Sequence, residues 1–217
     1  MRTDNNGNIG QMRSKKKNKK HKSRIFIGIG VLLIAAALLL TGYNVWRNHR
    51  AGAYSAKILS AIEKKNFTAI QTETGRSLYE MYPEMEMPTV MIDGQAYIGV
   101  LKIPALGLEL PVLSEWSYTG LNLAPCRYKG SAYQGNLIIA AHNFRQHFGN
   151  LQNLGAGEPI EFTDADGNHF QYQTAEIEVL PGTAVEEMES GEWELTLFTC
   201  DYSGRSRMAV RCVEVGE

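Results

Sequence analysis

Cysteine is scarce in this sequence, and its number is odd. The 217 residues include three cysteines, which excludes complete disulfide pairing within one chain. No internal repeat is visible, and no low-complexity block occurs beyond a basic amino-terminal run, so nothing indicates a repeat architecture. Hydrophobic residues make up 44% of the chain and charged residues 21%, which is typical of one globular domain with additional segments.

Acidic residues are nearly absent from the first 24 residues, which contain nine Lys or Arg and one Asp. This segment therefore has a net charge of +8, and the rest of the chain has −9. A basic run before an acidic body is typical of a nucleic-acid-binding tail or of the flank of a membrane span, and the residues that follow decide between these two interpretations.

Charged residues are absent altogether from residues 25–46, which include the run IFIGIGVLLIAAALLL. As an α-helix, these 22 residues would extend roughly 33 Å, enough to cross a bilayer core of about 30 Å. Because Lys/Arg-rich flanks stay in the cytoplasm, we expect a basic cytoplasmic tail over 1–24, a single-pass transmembrane anchor over 25–46 and an extracellular body. We expect no nucleic-acid partner. A cleaved signal peptide is the alternative, but no small-x-small cleavage site follows the apolar run.

Residues 47–95 are predicted to form a helical stalk and a linker. Ile58, Ile62 and Phe67 have a loosely helical spacing, which predicts a helix over 53–71. Residues 72–94 show no sustained period and are interpreted as a linker. The folded domain is expected to begin near Tyr97 and to occupy residues 96–217.

The pattern in this last region is typical of a mainly β domain. Seven short alternating or apolar runs are separated by turn residues, and a short helix is predicted in FGNLQNL. Asp166 and Gly167 form a strong hairpin signal, and the even spacing favours a sandwich or a closed barrel. The seven runs are YIGVLKIP, LELPVL, NLIIAAH, PIEFTD, HFQYQTAEIEVL, WELTLFTC and RMAVRCVEV.

A predicted hairpin carries the first candidate catalytic residues. Cys200 ends the strand WELTLFTC, and Arg207 begins the next strand after the polar loop DYSGRS, so the two residues are predicted to be cross-strand partners. An arginine beside a cysteine favours the reactive thiolate and can bind the oxyanion that forms when the thiolate attacks a carbonyl. By parity Arg211 shares the face of Arg207, whereas Cys212 points the other way; Arg205 in the loop is a weaker candidate.

A third candidate is His142, at the end of the strand NLIIAAH, where it could exchange a proton with a thiol or a leaving amine. The other four histidines are less well placed: His21 and His49 flank the apolar run, and His147 and His169 are in helix or turn contexts. The hairpin alone also fits a simpler interpretation, in which the cysteine is a small apolar strand residue and the arginine a surface charge.

The segments AAHN, TLFTC and SRMAV resemble the His motif, the TLxTC motif and the downstream catalytic Arg of Gram-positive sortases, and the resemblance extends over about residues 97–215. It implies that His142, Cys200 and Arg207 are the catalytic residues, and that Thr199 and Asn143, which adjoin two of them, contact the substrate. It also implies a closed eight-stranded β-barrel with short helices.

The same resemblance implies a reaction. Cys200 would attack the Thr carbonyl of an LPxTG-like sorting signal in a secreted protein, Arg207 would stabilise the oxyanion, and His142 would protonate the leaving Gly amine. The thioester would then pass to an amine acceptor, either a cell-wall precursor or a pilin Lys. No cofactor or metal is required, and the acidic residues form no recognisable calcium loop. The acidic segment 181–192 is expected to contact the signal.

Several alternatives remain open on the sequence. Cys126 lies outside the family's catalytic pattern, and a disulfide between Cys126 and Cys212 is one of them. No second apolar span follows Val215 and no lid motif is found, which favours a wall-anchoring sortase over a pilin polymerase. The triplet AHN is most similar to that of class B sortases. A papain-type protease would place its Cys before its His in the chain. The last alternative is a non-catalytic exported β-domain that binds cell-wall components.

Overall fold

The computed structural model describes residues 8–64, 77–201 and 203–216, with side chains described from residue 26 onwards. It contains two compact units, residues 1–47 and 48–217, whose boundary falls within the helix α1 (Asn8–Glu63). The helical segment Phe26–Glu63 includes an 18-residue window with a mean hydropathy of 2.3 and no buried residue. By length and composition it can cross a membrane, which fits an anchor and a signal sequence alike.

The second unit contains the sheet. Its strands are β1 (Val90–Ile92), β2 (Gln95–Ile103), β3 (Leu108–Leu113), β4 (Cys126–Lys129), β5 (Leu137–Ala141), β6 (Pro159–Asp164), β7 (His169–Pro181), β8 (Leu195–Cys200) and β9 (Ser206–Glu214). Its short helices are α2 (Leu78–Met81), α3 (Tyr118–Leu121) and α4 (Val185–Glu189), and single 3-10 turns occur at Pro104–Leu106, Ala132–Gln134 and Leu151–Asn153.

Eight of the nine strands form a closed barrel. The order around the barrel is β2-β3-β4-β5-β8-β9-β7-β6, and β6 pairs back onto β2. Only β3–β4 and β5–β8 are parallel among the described pairings. Closure leaves no free edge in the barrel wall. The predicted mainly β, closed eight-stranded architecture is confirmed, and the seven predicted runs are β2, β3 and β5 to β9.

Hydrophobic side chains pack on both faces of the barrel wall. Leu137 and Ile139 of β5 point into the interior with Leu195 and Leu197 of β8, where they join one large apolar cluster. Ile138, between the two β5 residues, points to the outer face and joins a second cluster under α1, α3 and α4. The strands are therefore buried on both sides here, which explains their continuous apolar runs.

The compact unit begins well before the predicted domain start near Tyr97. Ile58 and Ile62 in the last part of α1 are four residues apart, so they share one helix face, and both are buried against the outer cluster. The Tyr54 hydroxyl lies 3.0 Å from that of Tyr97. The helical segment 48–63 thus belongs to the folded domain rather than to a separate stalk. The part of the predicted helix beyond residue 64 lies outside the described residues.

Two local predictions concern turns. The β6–β7 hairpin turns at Asp166 and Gly167 as predicted, and Gly167 adopts a φ of 86°. The predicted helix in FGNLQNL is only a 3-10 turn at Leu151–Asn153, because Phe148 and Leu154 are drawn into the barrel core along with Leu151 instead of lying along an exposed helix.

Candidate active site

The parallel pairing of β5 and β8 brings together two of the predicted site residues. Ala141 pairs with Thr199, so the next residues along the two strands, His142 and Cys200, lie side by side at the carboxyl ends of neighbouring strands. Both follow an apolar run that fixes the strand in the barrel wall, and both are half-buried. In the sequence 57 residues lie between them, so this juxtaposition depends on the tertiary fold.

The β8–β9 hairpin supplies the third residue. Cys200 pairs directly with Arg207, which confirms the predicted cross-strand register. Asp201 holds the turn: its backbone N–H donates to the Ser206 carbonyl at 3.0 Å, and its carboxylate accepts from the Ser203 hydroxyl at 2.6 Å. The pKa of Asp201 is lowered mainly by the hydrogen bond from that hydroxyl, and further by hydrogen bonds from backbone N–H groups of the loop.

The guanidinium of Arg207 is turned partly towards its own loop. Its Nη1 donates to the carbonyls of Gly204 and Ser206, at 3.1 and 3.2 Å. Within the described part of the chain, Nε and Nη2 make no hydrogen bond and remain available to an oxyanion. Gly182 closes the other side, where an added Cβ would lie 3.3 Å from Nη1.

These three residues open into one cleft of about 320 Å³ on the outer face of the barrel wall. Apart from the three, its walls are largely apolar or aromatic. They consist of Trp116, Tyr118, Leu121, Tyr128, Ala140, Ala141, Gly182, Ala184, Val185, Met188 and Phe198. A groove of this kind suits an extended peptide with largely apolar side chains, since a charged side chain against the apolar walls would lose hydration without gaining a partner.

One side of the cleft is a row of aromatic rings. Trp116 contacts Tyr118 edge-on at 4.8 Å and Tyr128 at 6.2 Å, and Tyr128 in turn contacts Phe198 at 5.2 Å. The Ser117 side chain caps α3 by accepting from the Gly120 N–H at 2.9 Å, which fixes the loop that carries two of these rings. The strand pattern of the sequence does not predict this row; the available signal is the pair of aromatic residues in the loop segment WSY, which lies outside any predicted strand.

The segment 181–192, expected to contact a substrate, forms another part of the cleft wall. It contains α4 and contributes Gly182, Ala184, Val185 and Met188 to the cleft. Its acidic side chains do not line the cleft; the residues that do are apolar. This segment therefore presents apolar residues, and not its acidic side chains, to the cleft.

His142 adjoins a small aromatic group. Its ring lies 4.9 Å from that of Phe144, which lies 5.6 Å from the ring of His147. His147 is completely buried, and neither ring nitrogen has a hydrogen-bond partner among the described residues. Burial, with a smaller contribution from the charge of His142, lowers the pKa of His147 to about 4, so it is neutral at physiological pH.

The other two cysteines do not share the environment of Cys200. Cys126 lies in the outer apolar cluster and Cys212 in the barrel interior, and all three cysteines are free, so the Cys126–Cys212 disulfide is not present. Burial raises the pKa of Cys126 to about 11 and that of Cys212 to about 12. Both thiols are therefore protonated and shielded at neutral pH.

The remaining predicted residues lie outside the cleft. Thr199 points into the barrel, because it alternates with Cys200 along β8, and it is 5% exposed. Asn143 follows His142 and is half-buried, but it is not among the described residues that line the cleft. Arg205 is exposed in the hairpin loop.

Two other histidines, His49 and His169, are exposed and lie away from the cleft, and the side chain of His21 is outside the described part. No group of three or more His, Cys, Asp or Glu within the described residues is arranged to hold a metal ion. The arrangement can supply a thiol nucleophile, a proton-transfer group and a cationic oxyanion donor, which together suit acyl transfer.

Comparison with known proteins gives a consistent family. A family model described as Sortase domain matches residues 101–215. Sortase A from Bacillus anthracis is 25% identical over 186 residues, which cover 83% of this chain and 89% of that protein.

Two solved structures share the fold. A Clostridium perfringens Sortase D5 transpeptidase has a TM-score of 0.56 and 21% identity, covering 76% of this chain and 99% of that one. Clostridium perfringens sortase C with the C-terminal cell wall sorting motif has a TM-score of 0.51 and 18% identity, covering 64% and 86% of the two chains.

Proposed function

This chain belongs to the sortase family of transpeptidases, and on that premise we propose that it cleaves an LPxTG-like sorting signal between Thr and Gly and transfers the protein to an amine of a cell-wall precursor. Cys200 is the nucleophile, His142 the proton-transfer residue and Arg207 the oxyanion donor. The observation that supports this assignment is the register of three strands, in which Cys200 pairs with Arg207 and stands beside the end of β5, where His142 opens into the same cleft.

The first half-reaction forms a thioester. The Cys200 thiolate attacks the Thr carbonyl carbon, and the Arg207 guanidinium donates to the resulting oxyanion. When the intermediate collapses, the C–N bond to Gly breaks and protonated His142 gives its proton to the departing amine. The acyl group then remains on sulfur.

The second half-reaction releases the enzyme. A neutral amine attacks the thioester carbonyl, the C–S bond breaks, and the thiolate leaves while His142 accepts the proton lost by the amine. Water can replace the amine and give hydrolysis. The largely apolar walls limit water around the thioester, which favours transfer to the amine over this side reaction.

The apolar segment 25–46 fits a membrane anchor, with the basic residues 1–24 in the cytoplasm and the barrel outside the cell. This location would bring the cleft to secreted proteins as they emerge and to the wall precursor. A pilin-polymerising sortase would use the same cleft with a Lys side chain as acceptor. The non-catalytic alternative, a domain that binds cell-wall components, predicts no acyl-enzyme.

The experiment incubates the detergent-solubilised chain with LPxTG-like peptides and triglycine and follows the products by mass spectrometry. We expect cleavage between Thr and Gly, a thioester-linked acyl-enzyme on Cys200, and transfer to triglycine. Cys200→Ala, His142→Ala and Arg207→Ala should each abolish transfer, whereas the matched control Arg205→Ala in the same loop should not.

The acceptor is tested with a stem-peptide amine and a pilin-type Lys peptide in competition; preference for the Lys peptide would favour the polymerase alternative. If no peptide gives an acyl-enzyme, or if Cys200→Ala retains full activity, the assignment fails and the binding-domain alternative replaces it.

A further inference from the structure

Arg211 is a buried arginine that the catalytic assignment does not use. It lies on β9 on the same face as Arg207 and is 2% exposed, and it does not line the cleft. A buried guanidinium is costly unless its donors are satisfied. The partners of these donors therefore indicate what Arg211 is for.

Two of its hydrogen bonds fix the guanidinium to the barrel wall. Nε donates to the Glu178 carboxylate on β7 at 2.6 Å, and Nη1 donates to the Thr196 hydroxyl on β8 at 3.1 Å. Thr196 and Arg211 are direct cross-strand partners. The head of the side chain is thus held by the two strands that flank β9.

The other two hydrogen bonds reach α4. Nη1 donates to the carbonyl of Met188 at 2.8 Å, and Nη2 donates to the carbonyl of Glu187 at 2.7 Å. Carbonyls in the last turn of a helix lack partners within the helix and carry partial negative charge, so a planar cation with several donors suits them. Arg211 therefore acts as a carboxyl-terminal cap supplied from another strand.

Helix α4 needs such support because its own sequence stabilises it by one exposed contact at its end, in which the Ser190 hydroxyl donates to the Glu187 carbonyl at 3.1 Å. It has five residues, no side-chain cap at its start and no basic residue in its last turn. Isolated helices of this length are not stable in water. The ion pair between Lys129 and Glu189 is a second external contact, but both partners are partly exposed, so it contributes less.

The held helix forms part of the cleft. Met188, whose carbonyl accepts from Arg211, is 4% exposed, lines the cleft and packs in the outer apolar cluster. Val185, one turn earlier, lines the cleft as well. A shift of α4 would therefore change the shape of the apolar wall without moving Cys200 or Arg207 within their own hairpin.

We propose that Arg211 is a positioning residue that clamps α4 onto the barrel and so fixes the apolar wall that recognises the peptide substrate. It acts on peptide binding through Met188 and Val185 and not on the reacting thiol. The inference rests on the proposed function for its kinetic consequence, whereas the clamp itself can be tested without activity.

The test compares three forms of the detergent-solubilised full chain: wild type, Arg211→Lys and Arg205→Lys. Arg211→Lys keeps the positive charge but loses the planar set of guanidinium donors. Arg205→Lys is the matched control, because Arg205 is an exposed arginine of the hairpin loop. We expect Arg211→Lys to lower kcat/KM for peptide acylation about tenfold or more, mainly through KM, as for the loss of one or two charge-assisted hydrogen bonds. The rate at which iodoacetamide alkylates Cys200 should stay within about twofold of wild type, because the probe is too small to need the wall.

A second readout uses a Glu-specific protease. Cleavage after Glu186, Glu187 or Glu189 should be faster in Arg211→Lys than in wild type, whereas Arg205→Lys should match wild type. Should Arg211→Lys fail to fold, Glu178→Gln and Thr196→Val leave the guanidinium in place, weaken its attachment to the barrel and predict smaller changes in the same direction.

If Arg211→Lys leaves both KM and the rate of proteolysis unchanged, the inference is overturned. It is also overturned if alkylation of Cys200 in Arg211→Lys slows in parallel with peptide acylation, since Arg211 would then act on the thiol. If wild type acylates with no peptide, the proposed function fails, and the proteolysis alone decides the clamp: faster cleavage in Arg211→Lys supports it and equal cleavage refutes it.

Discussion

The buried, neutral His147 should make the folded state sensitive to acid. Its side chain is fully buried beside Phe144, and neither ring nitrogen has a partner within the described residues. Its pKa is lowered from 6.5 to about 4 by burial. Between these values the unfolded chain binds a proton that the folded chain does not, so stability is fully present above pH 6.5 and is lost as the pH falls towards 4.

The size of this effect follows from linkage. A difference of about 2.5 pKa units corresponds to a loss of about 3 kcal/mol of unfolding free energy once the pH is below about 4, and roughly 2 kcal/mol of it is lost by pH 5. Burial also raises the pKa of Asp166 and of Glu214, so these carboxyl groups contribute to the pH dependence of the wild type as well. The difference between wild type and a His147 variant isolates the histidine.

The assay is urea unfolding of the detergent-solubilised chain, followed by tryptophan fluorescence at a series of pH values from 7.5 to 4. His147→Phe keeps a ring against Phe144 and cannot titrate, so it should lose about 2 kcal/mol less than wild type between pH 7.5 and pH 5. The control His169→Gln, at an exposed site, should follow the wild-type profile. A difference in stability between His147→Phe and wild type that is already present at pH 7.5 reflects packing and does not bear on the prediction. If the difference between these two profiles is the same at every pH from 7.5 to 4, the reasoning is refuted.

Two further predictions concern thiols and the barrel seam. One cysteine should react quickly with iodoacetamide in the native chain at pH 8, and peptide mapping should find the label on Cys200. The reason is that burial shields Cys126 and Cys212 and raises the pKa of each thiol. Equally fast labelling of all three cysteines would contradict this prediction. Gly99→Ala should lower the free energy of unfolding in urea by about 3 kcal/mol or more, because its Cβ would lie 2.1 Å from the Thr163 carbonyl oxygen where β2 meets β6. The control Gly155→Ala, with no contact closer than 4.0 Å, should be nearly neutral. Equal effects at the two glycines would contradict this prediction, since the backbone at the β2–β6 junction would then accommodate the added methyl group.

Local patterns in the sequence were sufficient for much of the fold and for one pair of site residues. Strand alternation and turn residues predicted seven of the eight barrel strands. The short polar loop predicted the pairing of Cys200 with Arg207, because a tight hairpin fixes its own register. The eighth barrel strand, β4, was missed because its four residues, CRYK, are too few to show a period.

Other features depend on contacts between distant parts of the chain. Ile58 and Ile62 show a helical spacing that suits a stalk equally well, and only the barrel surface against which they pack makes them part of the domain. The clamp of Arg211 on α4 is likewise invisible in the sequence, since parity placed Arg211 on the correct face of β9 but could not identify the carbonyls that it meets.

The sequence by itself therefore determined the chemical types at the site, the mainly β class and the Cys–Arg pair, since these depend on neighbours along the chain. Only the tertiary structure decided that His142 lies beside Cys200, through the parallel pairing of β5 and β8, and that aromatic rings and α4 enclose them. The physical reason is that side-chain period and turn geometry act over a few residues, whereas parallel pairing and packing join segments whose separation in sequence carries no signal of their contact.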